Sequence, residues 1–174
     1  MSRYYPEMDI EHATILEAAR HDVKCKLGHN VLLFQQMERS LKWIVPRLNM
    51  SGATTTELET NFQNAKDSAS KRTLGMNLGA LLAGGESVTP SESYAMLSKL
   101  NFEPKIHAKL KRLTEERNQM VHHLLDDFDY ESVESLHSAA QLLDEQKVRI
   151  VEAIELLRDS AMLLRDGLTQ SIEL

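Results

Sequence analysis

No proline or glycine interrupts residues 130 to 166. Over that stretch and just beyond it, Val133, Leu136, Ala140, Leu143, Ile150, Ile154, Leu157, Ala161, Leu164 and Leu168 recur at alternating three- and four-residue spacing. Only Lys147 breaks the series. This period predicts an amphipathic α-helix with one continuous apolar stripe. At 1.5 Å per residue the helix is about 55 Å long. A rod of that length dictates the architecture, because other elements must pack along it. It is also longer than one compact domain needs, so part of its stripe is expected to pack on a second subunit.

The rest of the chain reads as helix as well. Aromatic residues are 5% of the 174, and long stretches are rich in Leu, Ala, Glu, Lys, Arg and Met, a mixture that favours helices over strands. Residues 7 to 22 carry Ala13, Leu16 and Ala19 on one face, with Val23 continuing it. Gly28 weakens the pattern and predicts a bend or a close helix contact, and Leu27, Val31, Phe34, Leu41, Val45 and Leu48 then form a stripe. The two stretches are either one long bent helix or two, and Pro46 should end or kink the second. Residues 49 to 55 are a loop by composition. Thr56 and Glu59, at capping-box spacing, open a short polar helix marked by Leu58, Phe62, Ala65 and Ala69. Residues 71 to 83 form a more apolar helix with Gly75 and Gly79 four apart, a spacing that either lets helices approach closely or is incidental. Gly84-Gly85 is a stop, and Thr89-Pro90-Ser91-Glu92 a start. A short helix carrying Tyr94, Leu97 and Leu100 is expected to follow. Pro104 begins the next helix, which runs to about Phe128. The expectation is a single all-α domain over residues 1–174, an antiparallel helical bundle with a long C-terminal helix.

Several function classes drop out. Cys25 stands alone, which rules out an internal disulfide and a cysteine-based zinc site. His21 and His29 lack helical metal-ligand spacing. The acidic residues Asp126, Asp127, Asp129, Glu131 and Glu134 suit a helix N-terminus better than a calcium loop. Neither a metal nor a cofactor is expected. There is no phosphate-binding glycine loop and no serine-nucleophile elbow. No segment is apolar enough to span a membrane, and the N-terminus lacks a signal-peptide core, so a soluble, cytoplasmic protein is expected. A net charge of −6 argues against a broad grip on nucleic acid but leaves room for a local basic cleft.

The chemistry concentrates in the helix after Pro104. Ile106, Leu110, Leu113, Met120, Val121 and Leu124 form its stripe, and Arg117 falls inside it. Burying an unpaired charge costs several kcal/mol, roughly, so Arg117 needs a partner. Asn118 and His122, four apart, stack on one flank of the same helix. Either Arg117 is a salt-bridged core arginine beside two surface polar residues, or the three form a site. As a site they are suited to RNA cleavage: a histidine moves protons near neutral pH, and an arginine forks onto phosphate oxygens. His123 points about 100° away from His122 and is either a surface residue or, in a different register, the proton carrier. Glu38 falls near the mean direction of its own stripe, so a pairing of Glu38 with Arg117 across two facing helices is expected. Lys99, Lys105, Lys109, Lys111, Arg112 and Arg117, against Glu103, Glu115 and Glu116, form either a solvated face or a path for an RNA backbone.

Arg117-Asn118, three further residues and then His122 resembles the arginine–polar–three residues–histidine motif of the HEPN superfamily. The order around it is also similar: Gln35 and Glu38 before Leu41-Lys42, then Thr73-Leu74-Gly75, then Glu116-Arg117-Asn118, over roughly residues 25 to 128. The resemblance implies a metal-independent endoribonuclease that leaves a cyclic phosphate. It also implies a homodimer whose two motifs meet in a composite cleft, and a toxin or defence role with an antitoxin or regulatory protein as a further partner. Arg117, Asn118 and His122 would be catalytic, with Glu38 and His123 in support. One subset of the superfamily has a tyrosine two residues after the histidine; here that residue is Leu124, which argues against its nucleotide-transfer scheme. The alternatives are a noncatalytic HEPN-type dimerisation or RNA-binding module, and a helical scaffold with no RNA role.

Overall fold

The computed structural model describes residues 10–83, 94–97 and 102–172. Among the described residues there are five helices: α1 (Ile10–Leu48), α2 (Thr55–Lys71), α3 (Leu74–Leu82), α4 (Pro104–Asp127) and α5 (Val133–Ile172). Two short strands, β1 (Asn49–Gly52) and β2 (Tyr94–Leu97), complete the described elements. The Gly84-Gly85 stop and the Thr89-Pro90 start lie outside the described residues.

α1 is one helix of 39 residues. Gly28 does not break it: the residue is exposed, and a Cβ there would meet nothing within 4 Å. Its cost of about 1 kcal/mol is spread over a helix held by tertiary packing. Pro46 is accommodated in the last turn.

α1 and α5 are nearly equal in length and lie side by side. Arg20 bonds the Tyr130 carbonyl and pairs with Glu131, Lys26 pairs with Asp144, and Asn30 bonds Gln146. Both partners advance along the chain together, so the two helices run parallel. α2, α3 and α4 return the chain to the starting end of α1 before α5 begins. α4 follows the antiparallel rule against α5: Lys109 pairs with Glu152 and Glu116 with Arg149. The bundle is thus antiparallel at α4–α5, while its longest pair runs in one direction.

The α1–α5 seam is the core. Met37, Leu41 and Ile44 of α1 and Ile150 of α5 are fully buried, with Leu136, Leu143, Leu157 and Leu164 along the same cluster. Much of the α5 stripe is therefore covered within the chain, while Ile154 and Ala161 stay partly exposed. Asn30 crosses the seam: its Nδ2 donates to the Leu143 carbonyl at 2.8 Å and to Gln146 Oε1 at 3.0 Å. These bonds satisfy buried polar groups and fix the helix register, since sliding would orphan them.

Two local expectations are corrected. Tyr94–Leu97, expected in a helix, is a strand paired antiparallel with Asn49–Gly52, expected as loop; the register is Asn49↔Leu97 to Gly52↔Tyr94. Gly52 is the position where no side chain fits, since a Cβ would sit 2.4 Å from the Leu58 backbone nitrogen. The α2 cap is Thr54 rather than Thr56: Thr54 Oγ1 accepts from the Glu57 amide, and Glu57 Oε2 accepts from the Ala53 amide. This is capping-box chemistry displaced by two residues. Of the paired glycines, Gly75 marks a close approach, with its Cβ position 3.1 Å from Thr114 Cγ2 of α4, while Gly79 faces open space.

Candidate functional site

α4 starts where the sequence predicts, with Pro104 at its first position, and buries one face through Leu110, Leu113 and Met120. Arg117 lies within roughly 30° of the mean direction of those three at 100° per residue, so it belongs to the seam. It is half-buried, and its Nη1 donates to Asn118 Oδ1 at 3.0 Å. Asn118 and His122 are exposed on the adjoining flank. No hydrogen bond engages His122 among the described residues; its ring meets only that of His123, edge-on at 6.3 Å between centroids. His123 is exposed and its Nδ1 lies 3.2 Å from Asp126 Oδ2.

The Glu38–Arg117 pair does not form. Glu38 Oε1 is 2.7 Å from Lys42 Nζ on its own helix. The reason is visible in α1. Met37 and Ile44, both fully buried, pull the centre of the buried face away from Glu38. Glu38 sits roughly 80° from the mean direction of Phe34, Met37, Leu41, Ile44 and Leu48 at 100° per residue. The two residues nonetheless border one small cavity of about 70 Å³, together with Gln35, Phe34, Leu74 and Met120. Stretches far apart in sequence thus converge around Arg117: Gln35 and Glu38 from α1, Leu74 from α3. The cavity is too small for a nucleotide, so chemistry here would use the exposed flank carrying Asn118 and His122.

The cationic run is partly spent on acids. Lys109 Nζ is 3.0 Å from Glu152 Oε2. Glu116 joins three helical turns: Arg112 Nε lies 2.8 Å from its Oε1, while Arg149 Nε and Nη2 lie 3.2 and 3.1 Å from its Oε2. The four-residue spacing of Arg112 and Glu116 signalled half of this contact. The Arg149 half needed the tertiary structure. Lys105 and Lys111 make no ion pair among the described residues, and Lys99 lies outside them.

Among the described residues, no group of three or more His, Cys, Asp or Glu side chains is arranged to hold a metal ion. No helix among them is long and apolar enough to cross a membrane. Comparison of the chain with protein-family models, with curated proteins and with solved structures finds no match.

Proposed function

We propose that the chain is a HEPN-like, metal-independent endoribonuclease that works as a homodimer, in a toxin or defence setting with an antitoxin or regulatory protein as partner. The observation that carries this reading is the flank of α4, where Arg117 is hydrogen-bonded to Asn118 and His122 stands exposed one turn on. The convergence of Gln35, Glu38 and Leu74 on the Arg117 cavity supports it, since these are the residues that accompany the motif in the resemblance.

Cleavage would proceed by attack of a ribose 2′-oxygen on the adjacent phosphorus, with loss of the 5′-oxygen and formation of a 2′,3′-cyclic phosphate. His122 takes the 2′-hydroxyl proton, and the same histidine of the second copy gives one to the leaving oxygen. Arg117 meets the charge that builds on the phosphorane, and Asn118 orients its guanidinium.

The test is RNA cleavage in excess chelator. The wild type should cut, and His122→Ala should lose about 10²–10⁴ in rate, the usual worth of a proton-transfer group, with thermal stability unchanged. An equally active His122→Ala protein removes the catalytic assignment. Sedimentation gives the second check: a chain that stays monomeric at tens of micromolar, roughly well above common interface affinities, has no composite site.

A second reading is a noncatalytic RNA-binding or dimerisation module. The neutralisation of Lys109 and Arg112 by Glu152 and Glu116 favours the dimerisation form of that reading, because it weakens the field that would draw RNA toward α4. RNA binding without cleavage would decide for that reading, and neither binding nor cleavage for a scaffold.

A further inference from the structure

On the far side of the α1–α5 pair from α4 lies a groove of about 320 Å³. Its α5 wall is Ile154, Arg158 and Ala161, roughly 180° round the helix from the residues that meet α4. Its α1 wall carries Arg39 and Trp43, with Gln36 and Ser40 adding polar groups. Nothing in the argument for Arg117 and His122 uses this groove.

Two features separate it from an ordinary interhelical furrow. First, each wall supplies one arginine, and neither Arg39 nor Arg158 makes an ion pair among the described residues. Glu155 and Asp159 are close to Arg158 in sequence, yet neither neutralises it, although the chain has 26 acidic residues against 20 basic ones and α5 is rich in them. Elsewhere on the same helices Lys26, Lys42 and Arg149 are paired with Asp144, Glu38 and Glu116, although Lys24, Arg47 and Lys147 make no ion pair among the described residues. Two guanidinium groups left free across a concave site repel each other until an anion lies between them. Second, Trp43 borders the groove and is held in place from behind. The Arg47 guanidinium lies 3.9 Å from the ring centroid and its Nη1 donates to the Trp43 carbonyl at 2.7 Å. The residue remains 37% exposed. An indole backed by a cation and partly exposed at a groove can serve as a stacking platform for a planar ring.

We infer that this groove binds a nucleotide: its phosphate lies between Arg39 and Arg158, and its base lies against Trp43. The volume falls at the small end of ligand clefts, enough for one nucleotide and not for a helical peptide. Free nucleotide and a nucleotide within single-stranded RNA present the same groups, so both are candidates for the one site. The site is independent of the nuclease reading, since no α4 residue contributes to it.

Trp43 is the only tryptophan of the chain, so its emission reports on this groove alone. The full-length protein is titrated with adenosine monophosphate, with a short oligouridylate and with inorganic phosphate, exciting at the red edge of the indole band. Saturable quenching by the nucleotide or the oligonucleotide is expected. Inorganic phosphate should compete for the site while quenching little. Arg39→Ala and Arg158→Ala should each weaken binding by about tenfold or more, the usual loss of a charge-assisted hydrogen bond, with helicity retained. His122→Ala should bind as the wild type does. Quenching by the oligonucleotide alone would assign the site to RNA, and by both ligands to the nucleotide unit itself. No saturable change with either ligand at millimolar concentration, or binding indifferent to both arginine substitutions, overturns the inference. A lost nuclease activity in His122→Ala with Trp43 quenching intact would leave the two sites separately established.

Discussion

The α1–α5 pair and α4 are both amphipathic, and they spend their faces differently. α1 and α5 bury apolar residues along their shared length and carry Asn30 and Gln146 into the seam with their hydrogen bonds made. α4 buries three residues fully, leaves Arg117 half-buried in the same stripe, and turns Asn118 and His122 to solvent. α4 is tied to α5 by ion pairs at Lys109–Glu152 and Glu116–Arg149 as well as by apolar contact. One region specifies the fold, and the other displays polar groups on it. The difference teaches that the motif helix can vary its chemistry at small cost to stability, because its polar flank carries none of the core.

The comparison breaks most sharply in the core. Leu41→Ala or Ile150→Ala, at fully buried positions, should each destabilise by about 2–5 kcal/mol in urea unfolding. Asn118→Ala and His122→Ala should stay within about 0.5 kcal/mol of wild type. Comparable losses on both helices would mean that α4 is as much core as α1.

Asn30→Ala removes two hydrogen bonds at once and leaves Gln146 Oε1 without its Asn30 donor. A loss of about 1–3 kcal/mol is expected. A double-mutant cycle with Gln146→Ala should show coupling, as residues in one network do. Additive losses would mean that the two amides act separately and do not fix the parallel register.

Glu116→Ala sharpens the contrast at the α4–α5 contact. Its carboxylate is mostly shielded, with 17% of the side chain exposed, while Arg149 and Arg112 are more open at 32% and 66%. Solvent screening holds the expected loss to about 1 kcal/mol. The location matters more than the size: amide hydrogen exchange should quicken in α4 and stay slow in α1 and α5. Uniform quickening would show that α4 is not a separately opening unit.

Helical periodicity made α3, α4 and α5 legible, and it placed Arg117 on its seam. What it missed shares one cause, that a helical wheel names a face and never the neighbour. Gly28 weakened a pattern that packing against α5 carries straight through. The β1–β2 ribbon joins segments more than forty residues apart, and neither has a period of its own to announce it. The length of α5 did not reveal that α1 is nearly as long and runs alongside it. The free arginines at 39 and 158 sit on different helices, and no spacing rule links them.

The smallest effect is the one that most directly tests this lesson. Glu38 stands at the flank of the α1 stripe and its carboxylate meets Lys42 at 2.7 Å, with the glutamate on the N-terminal side, the better orientation for a pair four apart. Both side chains keep about a third or a quarter of their surface in water (33% and 26%), so the pair is screened. Glu38→Ala should therefore cost about 0.3–0.5 kcal/mol. Had Glu38 held a buried Arg117, the same substitution would cost about 3–5 kcal/mol, because it would strand the guanidinium. The two arrangements differ by nearly an order of magnitude in one unfolding experiment. Double-mutant cycles separate them further. Coupling of Glu38 to Lys42 should be a few tenths of a kcal/mol, and coupling to Arg117 close to zero, since Arg117 is served by Asn118. A strong Glu38–Arg117 coupling would show that the carboxylate swings across the small cavity they share, and that α1 and α4 are joined by charge at the motif itself.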